Sequence, residues 1–400
     1  MRLRTHESFW LLKNGLLYSY PSLQKDISCD FLVVGGGITG ALVSHALMDE
    51  GYQVILIDKR DIGQGSTSAT TSMLQYEIDE PLVSLSVKIG EEGAATCYKE
   101  GIVAIDKLAM LIKDLKIDCD FSKKKSLYIA HAESAIDMLK KEFEIRNRHN
   151  LGVTWLDEAT LLEKFGINSK GAIYSDCAAS IDAYKLTHEL IAHNVKRGMQ
   201  VFDQTEVSLL DSKSNKPLLS TDSGCKITCE KVIYCNGFEA TEMIKENIAN
   251  LFYTYAAVSE QNKREAEKID DVLIWNTDSP YTYMRTTTDG RILIGGEDSA
   301  FNVPLLEEKI KKIKGKILID KMQQIIPGVN FIEDFTWAGK FGSTKDGLPY
   351  IGASPEYTNA YFVLGFGGNG IVFSIQAMDL ITNMIKGKHS LLEEYYKFGR

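Results

Sequence analysis

The distribution of apolar and polar positions near the start of the chain predicts two buried strands with a helix between them. Residues 31–34 (FLVV) form a short apolar run rich in β-branched side chains, which is typical of a buried parallel strand. Residues 41–47 follow the pattern of a helix, and Gly51 stands where a glycine commonly ends one. Residues 54–57 (VILI) form the second apolar run. This order predicts a strand–turn–helix–strand unit.

Glycines occupy the turn between the first predicted strand and the helix, in the spacing G-x-G-x-x-G. The first glycine permits a tight turn, the second lets the main chain approach a pyrophosphate, and the third lets the helix pack against the strand. Unpaired N–H groups at the helix N-terminus favour phosphates, and an acid at the end of the second strand can accept hydrogen bonds from a ribose diol. The unit therefore predicts a dinucleotide site formed by Gly35, Gly37, Ile38, Thr39, Gly40 and Asp58.

Later apolar runs predict further strands. Residues 361–364 form a strand that leads into the glycine-rich turn 365–370 and then into a helix over residues 371–385. This second strand–turn–helix arrangement points another set of helix N–H groups at an acceptor. Residues 281–296 have the pattern of a hairpin with an Asp-Gly turn.

Composition and charge narrow the classes of protein to be considered. The 400 residues suffice for two or three domains, and 44% hydrophobic with 25% charged residues is ordinary for a globular protein. A formal charge of −9 argues against a broad nucleic-acid-binding surface, so we expect no nucleic-acid partner. The sequence has no apolar stretch of about 18 residues and no secretory cleavage pattern near its start. We therefore expect no transmembrane segment and a cytoplasmic location.

The seven cysteines are odd in number and scattered, and none forms a CxxC pair. This pattern favours reduced thiols and matches none of the usual zinc-ligand spacings. We therefore expect no metal site.

Residues 63–74 (GQGSTSATTSML) are rich in glycine and small hydroxyl side chains. Such a segment can lie against a flat or charged group, although composition alone also fits a polar surface loop. With the glycine fingerprint and the hairpin, this segment resembles the D-amino-acid oxidase-like flavoproteins, which include glycine oxidase, sarcosine oxidase and gamma-glutamylputrescine oxidase. The resemblance spans nearly the whole chain and extends to residues 231–237 (KVIYCNG), 343–352 (STKDGLPYIG) and 364–371 (LGFGGNGI).

The resemblance implies that the dinucleotide is FAD. In the family, the segment matching residues 63–74 runs from the FAD pyrophosphate to the isoalloxazine, and the last glycine turn directs a helix end at the flavin's pyrimidine ring. A helix dipole there favours the reduced flavin. The further FAD-binding residues that the resemblance implies are Lys59, Gly65, Ser66, Thr67, Thr71, Ser72, Met73, Val207, Asn236, Gly237, Gly367, Gly368, Asn369, Gly370 and Ile371.

The resemblance also implies that FAD is held non-covalently. Family members with covalent FAD use a cysteine late in the chain or a histidine by the second loop. Here no cysteine follows Cys235, and no histidine lies between His45 and His131.

The fold expected from the resemblance is α/β, or α+β overall. It combines a Rossmann-type FAD-binding domain with a discontinuous substrate domain built on a mostly antiparallel sheet. The expected ranges are 1–28 for an N-terminal segment packed on the body, 29–90, 150–250 and 335–395 for the FAD-binding domain, and 91–149 and 251–334 for the substrate domain.

The function implied by the resemblance is hydride transfer from a carbon bearing an amine to the flavin, followed by hydrolysis of the imine. The expected partner is a small-molecule amine, and either oxygen or a quinone can accept the electrons. Tyr283 and Arg285 on the hairpin and Lys340 are the candidates for contact with the substrate.

Two departures from the family pattern bear on the substrate. Phe341 stands where glycine oxidase-like members carry an arginine for the substrate carboxylate, and strand alternation turns Lys340 the other way. Ser72 replaces a glycine that is common in the flavin-facing loop. An amine without an adjacent carboxylate is therefore an alternative to an amino acid. Two other classes remain open: a hydroxy acid or polyol phosphate, and a macromolecule-borne substrate such as a modified tRNA base.

Overall fold

Two β-sheets carry the fold. The computed structural model describes residues 1, 3–5, 8–210, 216–300 and 307–400. In these ranges the strands are β1 (Ile27–Val34), β2 (Val54–Ile57), β3 (Met73–Gln75), β4 (Ser122–Ile129), β5 (Val153–Asp157), β6 (Gly171–Ser180), β7 (Gln200–Phe202), β8 (Val207–Leu209), β9 (Leu218–Thr221), β10 (Lys226–Tyr234), β11 (Asn250–Ser259), β12 (Val272–Asn276), β13 (Thr282–Thr286), β14 (Ile292–Ser299), β15 (Glu333–Ser343), β16 (Tyr350–Ala353) and β17 (Ala360–Leu364).

Helices pack on both sheets. In the same ranges they are α1 (Phe9–Asn14), α2 (Ile38–Asp49), α3 (Leu82–Ile89), α4 (Glu91–Leu115), α5 (Ile136–Arg148), α6 (Glu158–Phe165), α7 (Ala183–Lys196), α8 (Lys263–Ala266), α9 (Glu307–Ile325), α10 (Gly370–Ile385) and α11 (Leu391–Tyr396). None of these helices combines the length and the apolar character that crossing a membrane requires.

The first sheet contains the strand–turn–helix–strand unit that the sequence predicts, as β1–α2–β2. Its strands run in the order β16-β17-β10-β1-β2-β7, with β9 paired to β10 and β8 paired to β9. β1 is parallel to both neighbours, so Val33 pairs with Ile233 on one side and with Leu56 on the other. Helices α2 and α10 pack on this sheet and on each other, which buries its apolar runs.

The second sheet is mostly antiparallel, as expected for the substrate domain. It runs β15-β11-β14-β13-β12-β4-β6-β3, with β5 beside β6. The strands β5, β6 and β15 therefore lie in this sheet, although their residues fall largely in the ranges 150–250 and 335–395 that we expected in the FAD-binding domain. Their pairing joins residues far apart in sequence, such as Tyr253 and Lys340, and no local pattern encodes it. We propose moving the domain boundaries accordingly.

The hairpin predicted over residues 281–296 is present. β13 and β14 pair antiparallel, with Met284 opposite Ile294. Gly290 in the turn has a φ of 82°, a left-handed conformation that glycine adopts without strain. The Asp-Gly signal was therefore sufficient to locate this element.

Several described residues of the N-terminal segment are buried against the rest of the protein. Trp10 in α1 is completely buried, and Leu3 and Leu23 are also buried. Leu12 and Leu16 remain 57% and 58% exposed, so only part of the apolar pattern between residues 10 and 17 packs inward.

Candidate active site

The turn between β1 and α2 has the geometry that its glycines predict. Gly35 has a φ of 115°, and a Cβ there would lie 2.5 Å from the Cys235 carbonyl oxygen. A Cβ on Gly40 would lie far inside 3.0 Å of the Gly35 oxygen, so the helix packs this closely only without a side chain. Gly37 precedes the first turn of α2 and has no side chain of its own to cap the helix. The amide of Ile38 donates to Thr67 Oγ1 at 3.0 Å, which joins this turn to the loop of residues 63–74.

Asp58 follows β2 and binds the main chain at two points. The Gly36 amide donates to Oδ2 at 2.6 Å, and the Arg60 amide donates to Oδ1 at 2.8 Å. Burial raises the pKa of the Asp58 carboxyl to about 6. Asp58 lines the cavity described below, and each of its carboxyl oxygens has a further lone pair, so the residue can also accept hydrogen bonds from a ribose.

We expect Asp58→Ala to weaken FAD binding by about 1.5–3 kcal/mol, the usual contribution of hydrogen bonds to a charged group. That loss corresponds to roughly a tenfold to hundredfold higher dissociation constant. Titration of the apoprotein with FAD measures it. Asp30→Ala is the matched control, because Asp30 accepts from the Gln53 amide at 2.8 Å near the other end of the same strand pair. An equal effect of both variants would indicate that Asp58 acts only through the stability of the sheet.

A single cavity of about 430 Å³ runs from the end of β2 to β13. Most of the residues expected to bind FAD or substrate line it. They are Gly35, Gly37, Ile38, Thr39, Asp58, Lys59, Gly65, Ser66, Thr67, Thr71, Met73, Val207, Asn236, Gly237, Tyr283, Lys340, Gly367, Gly368, Asn369, Gly370 and Ile371. Gly40 serves helix packing instead, and Ser72 and Arg285 lie behind the cavity wall.

The glycine turn before α10 forms the far end of the cavity. Gly367 has a φ of 81°, and a Cβ on Gly368 would lie 2.6 Å from Asp79 Oδ1. Asn369 precedes α10, and its side-chain amide donates to the carbonyls of Gln75 at 2.8 Å and Glu77 at 2.7 Å. These bonds connect the N-terminal end of α10, which packs on the first sheet, to Gln75 at the end of β3 and Glu77 just after it. β3 belongs to the second sheet.

An acid and several aromatic rings surround the cavity next to this turn. The Asp79 carboxyl accepts hydrogen bonds from the Tyr281 hydroxyl at 3.2 Å and from the Gly368 amide at 2.7 Å. Burial raises the pKa of Asp79. The rings of Tyr281 and Tyr283 lie 5.7 Å apart, and Trp275 also lines the cavity. This end of the cavity can therefore hold a cation.

The structure places the three candidate substrate residues differently with respect to the cavity. Arg285 is buried, and its Nη1 donates to the main-chain carbonyls of Ser72 at 2.8 Å and Ile181 at 3.1 Å. Arg285 lies on the same face of β13 as Tyr283, as alternation predicts, but it is two residues further along the strand and does not line the cavity. Lys340 borders the cavity, yet its ammonium lies over the Tyr253 ring, 5.9 Å from the ring centroid. Tyr283 lines the cavity next to Tyr281, at the end where Asp79 lies.

Sequence reasoning missed Asp79, Trp275 and Glu239. Glu239 binds Arg60 Nη2 at 2.7 Å and Lys59 Nζ at 3.1 Å near the other end of the cavity. The signal for Asp79 was present, since Met73, Gln75, Glu77 and Asp79 alternate along one segment and all four line the cavity. Trp275 and Glu239 stand in no motif.

The residues at this site fit FAD. Two helix N-termini face the cavity, and the main chain at Gly35 and Gly37 can approach a pyrophosphate. Asn236 Oδ1 is buried without a partner among the described residues, and Asn236 borders the cavity where a polar ligand would supply one. Asp58 stands at the position that suits a ribose.

Comparison with known proteins points to the same cofactor. A family model described as FAD dependent oxidoreductase matches residues 30–384. The chain is 24% identical to a Bacillus subtilis protein described as a putative Rieske 2Fe-2S iron-sulfur protein, over 98% of this chain and 75% of that protein. It is 21% identical to the gamma-glutamylputrescine oxidoreductase of Escherichia coli, over 96% of this chain and 89% of that enzyme.

Among solved structures, glycine oxidase from Geobacillus kaustophilus has the same fold. The two structures superpose with a TM-score of 0.76 over 93% of this chain and 99% of that one, at 21% sequence identity. The family match covers nearly all of the chain and includes both glycine turns, Asp58 and the substrate end of the cavity. This chain therefore belongs to the DAO family of FAD-dependent oxidoreductases.

Proposed function

We propose that this FAD-dependent oxidoreductase oxidises a small amine that carries no carboxylate next to the reacting carbon. The observation that carries the proposal is the charge at the substrate end of the cavity. Asp79 supplies a carboxylate there, and Phe341 stands where the resemblance leads us to expect an arginine.

The cations on the cavity wall support this choice. Among the lining residues that the structure describes, the lysines and arginines are Lys59, Arg60 and Lys340. Lys59 and Arg60 are paired with Glu239, away from Asp79. Lys340 pairs across the strands with Tyr253 on the sheet face that α9 covers. A substrate carboxylate beside Asp79 would therefore be buried without a positive partner, which costs several kcal/mol.

The residues at this end can position an ammonium group and remove its proton. The Tyr281 hydroxyl and the Gly368 amide hold the two oxygens of Asp79, so the carboxylate has a fixed orientation. The carboxylate accepts a proton from the ammonium, which leaves a neutral amine with a free lone pair. The rings of Trp275, Tyr281 and Tyr283 surround the site and limit access of water. The two glycine turns would hold FAD, which would supply the acceptor for a hydride from the carbon next to that nitrogen.

Oxidation of a hydroxy acid or a polyol phosphate is the alternative. Either substrate is an anion and needs a cation close to the reacting carbon. Asp79 at this position disfavours both. The charge of −9 likewise disfavours a substrate carried on nucleic acid.

Matched substrate pairs test the proposal. We expect an N-methyl alkylamine to reduce the flavin faster than sarcosine, and simple amines to exceed glycine and D-alanine, in anaerobic stopped-flow measurements. Each 1.4 kcal/mol of unpaired charge lowers affinity about tenfold, so the difference within a pair should exceed that factor. Because oxygen is absent, the measured rate is that of flavin reduction alone and does not depend on the electron acceptor.

Faster reduction by the carboxylate member of each pair would contradict the proposal and direct attention to Lys340 as a carboxylate ligand. Reduction by a hydroxy acid or by glycerol phosphate, with no reduction by any amine, would support the alternative class. Turnover with oxygen and with an artificial quinone, measured separately, then identifies the acceptor.

A further inference from the structure

Three side chains hold the flavin-facing loop, residues 63–74, by hydrogen bonds to its main chain. Each donates to a main-chain carbonyl of the loop, and the three come from distant parts of the chain. The bonds are Trp337 Nε1 to Ala69 O at 2.8 Å, Trp10 Nε1 to Thr70 O at 2.6 Å, and Arg285 Nη1 to Ser72 O at 2.8 Å. The loop residues Ala69, Thr70, Thr71 and Met73 in turn line the cavity.

Ser72 has an unfavourable main-chain conformation. Its φ is 58°, in the left-handed region that residues with a Cβ rarely adopt. The side-chain hydroxyl is buried and has no partner among the described residues, so it does not stabilise this conformation. The Ser72 carbonyl accepts two hydrogen bonds, from Arg285 Nη1 and from the Ile181 amide at 3.3 Å. The Ser72 amide donates to Thr70 Oγ1 at 3.1 Å within the loop, so the hydrogen bonds that reach the Ser72 main chain from Arg285 and Ile181 both involve the carbonyl.

Arg285 is well suited to hold that carbonyl. It is 2% exposed, its guanidinium lies 5.4 Å from the centroid of the Trp10 ring, and Nη1 also donates to the Ile181 carbonyl. No ion pair is formed by Arg285 within the described ranges, so its charge is directed at main-chain dipoles. Burial lowers the pKa of Arg285 to about 10, which leaves the side chain protonated at neutral pH.

We infer that Arg285 is a positioning residue for the cofactor: its guanidinium keeps Ser72 in the left-handed turn and so gives the flavin-facing loop the shape that FAD binds. The inference does not depend on the nature of the substrate. Arg285 acts on the cofactor indirectly, through the shape of the loop, because Ser72 and the guanidinium do not line the cavity.

A rescue experiment tests the assignment. Arg285→Met should raise the dissociation constant of FAD by about tenfold or more, because a charge-assisted hydrogen bond is lost. Ser72→Gly alone should change it little, since glycine adopts positive φ without strain. In the double variant, glycine no longer needs the guanidinium to reach this conformation, so most of the lost affinity should return. Visible circular dichroism of bound flavin should show the same loss and recovery.

Arg291→Met is the matched control on the same hairpin. Arg291 binds Asp289 and Asp334 at the turn, away from the cavity, and its loss should leave the FAD dissociation constant unchanged. If Arg285→Met does not fold, Arg285→Lys provides the same comparison with a smaller loss. Failure of Ser72→Gly to restore affinity in either background would overturn the inference and leave Arg285 a role in stability alone. Unchanged FAD affinity in a folded Arg285→Met would overturn it as well.

Discussion

Replacing Gly40 by alanine is expected to eliminate measurable FAD binding. The new Cβ would overlap the Gly35 oxygen, so α2 would have to move away from β1 and take its N-terminal amides away from the pyrophosphate. Overpacking typically costs about 1–3 kcal/mol and occasionally more, and this overlap should lie at the upper end because it is with main-chain atoms, which cannot rotate away. FAD affinity should therefore fall more than about a hundredfold. The measurements are flavin content after purification and FAD titration of the apoprotein, whose unfolding curve reports the loss of stability separately.

Ser44→Ala is the control for this variant. Ser44 lies on the same helix, and its buried hydroxyl has no partner among the described residues, so its removal should leave FAD binding intact. FAD released by denaturing the wild-type protein should appear in the supernatant, as non-covalent binding requires. A Gly40→Ala protein that retains its flavin would show that the turn does not contact the pyrophosphate.

Replacing Asp79 by asparagine should slow reduction of the flavin by an amine by roughly two orders of magnitude, since losing one member of a buried charge pair costs about 2–5 kcal/mol. Asparagine can still accept from the Gly368 amide and can donate to the Tyr281 hydroxyl, so the geometry should persist. Stopped-flow reduction measures the rate, and FAD titration should show little change. Glu80→Gln is the matched control, because Glu80 is paired at the surface with Lys88 at 2.8 Å.

The pH dependence of the same reaction gives a second readout for Asp79. Below its raised pKa the carboxyl is protonated and neutral, so it can neither attract an ammonium nor take its proton. Reduction by wild-type enzyme should therefore rise with pH through that pKa. Asp79→Asn should lack this rise. An identical pH profile in the variant would remove Asp79 from the proposed mechanism.

The parts of the fold that the sequence predicted are those encoded by contiguous residues. The β1–α2–β2 unit follows from two apolar runs, a glycine turn and one acid, and each of these acts on its immediate neighbours. The hairpin follows in the same way from Gly290. Membership of the second sheet could not be predicted, because a strand such as β15 shows the same local pattern whichever partner it pairs with.

The cofactor end of the site was predictable for the same reason, and the substrate end was not. Main-chain approach to a pyrophosphate requires glycine at fixed spacing, which leaves a pattern in the sequence. Alternation from Met73 could place Asp79 at the cavity, but its contact with Tyr281 of the hairpin arises from two segments distant in sequence, and no local pattern encodes that contact. Alternation correctly placed Arg285 on the face of Tyr283, but it could not show that the strand carries the guanidinium under the flavin-facing loop.

The bonds from Asn369 to the carbonyls of Gln75 and Glu77 have a consequence for biosynthesis. The walls of the cavity include Leu3 near the start of the chain and Ile371 near residue 400. A ribosome must therefore release the chain from Leu3 through Ile371 before the two sheets can join around FAD. The nascent protein has to keep its first glycine turn and the partly strained loop folded, or chaperone-bound, until that point. Cells short of riboflavin should consequently contain less of this protein, because mass action by FAD stabilises only the finished fold and proteases remove chains without FAD.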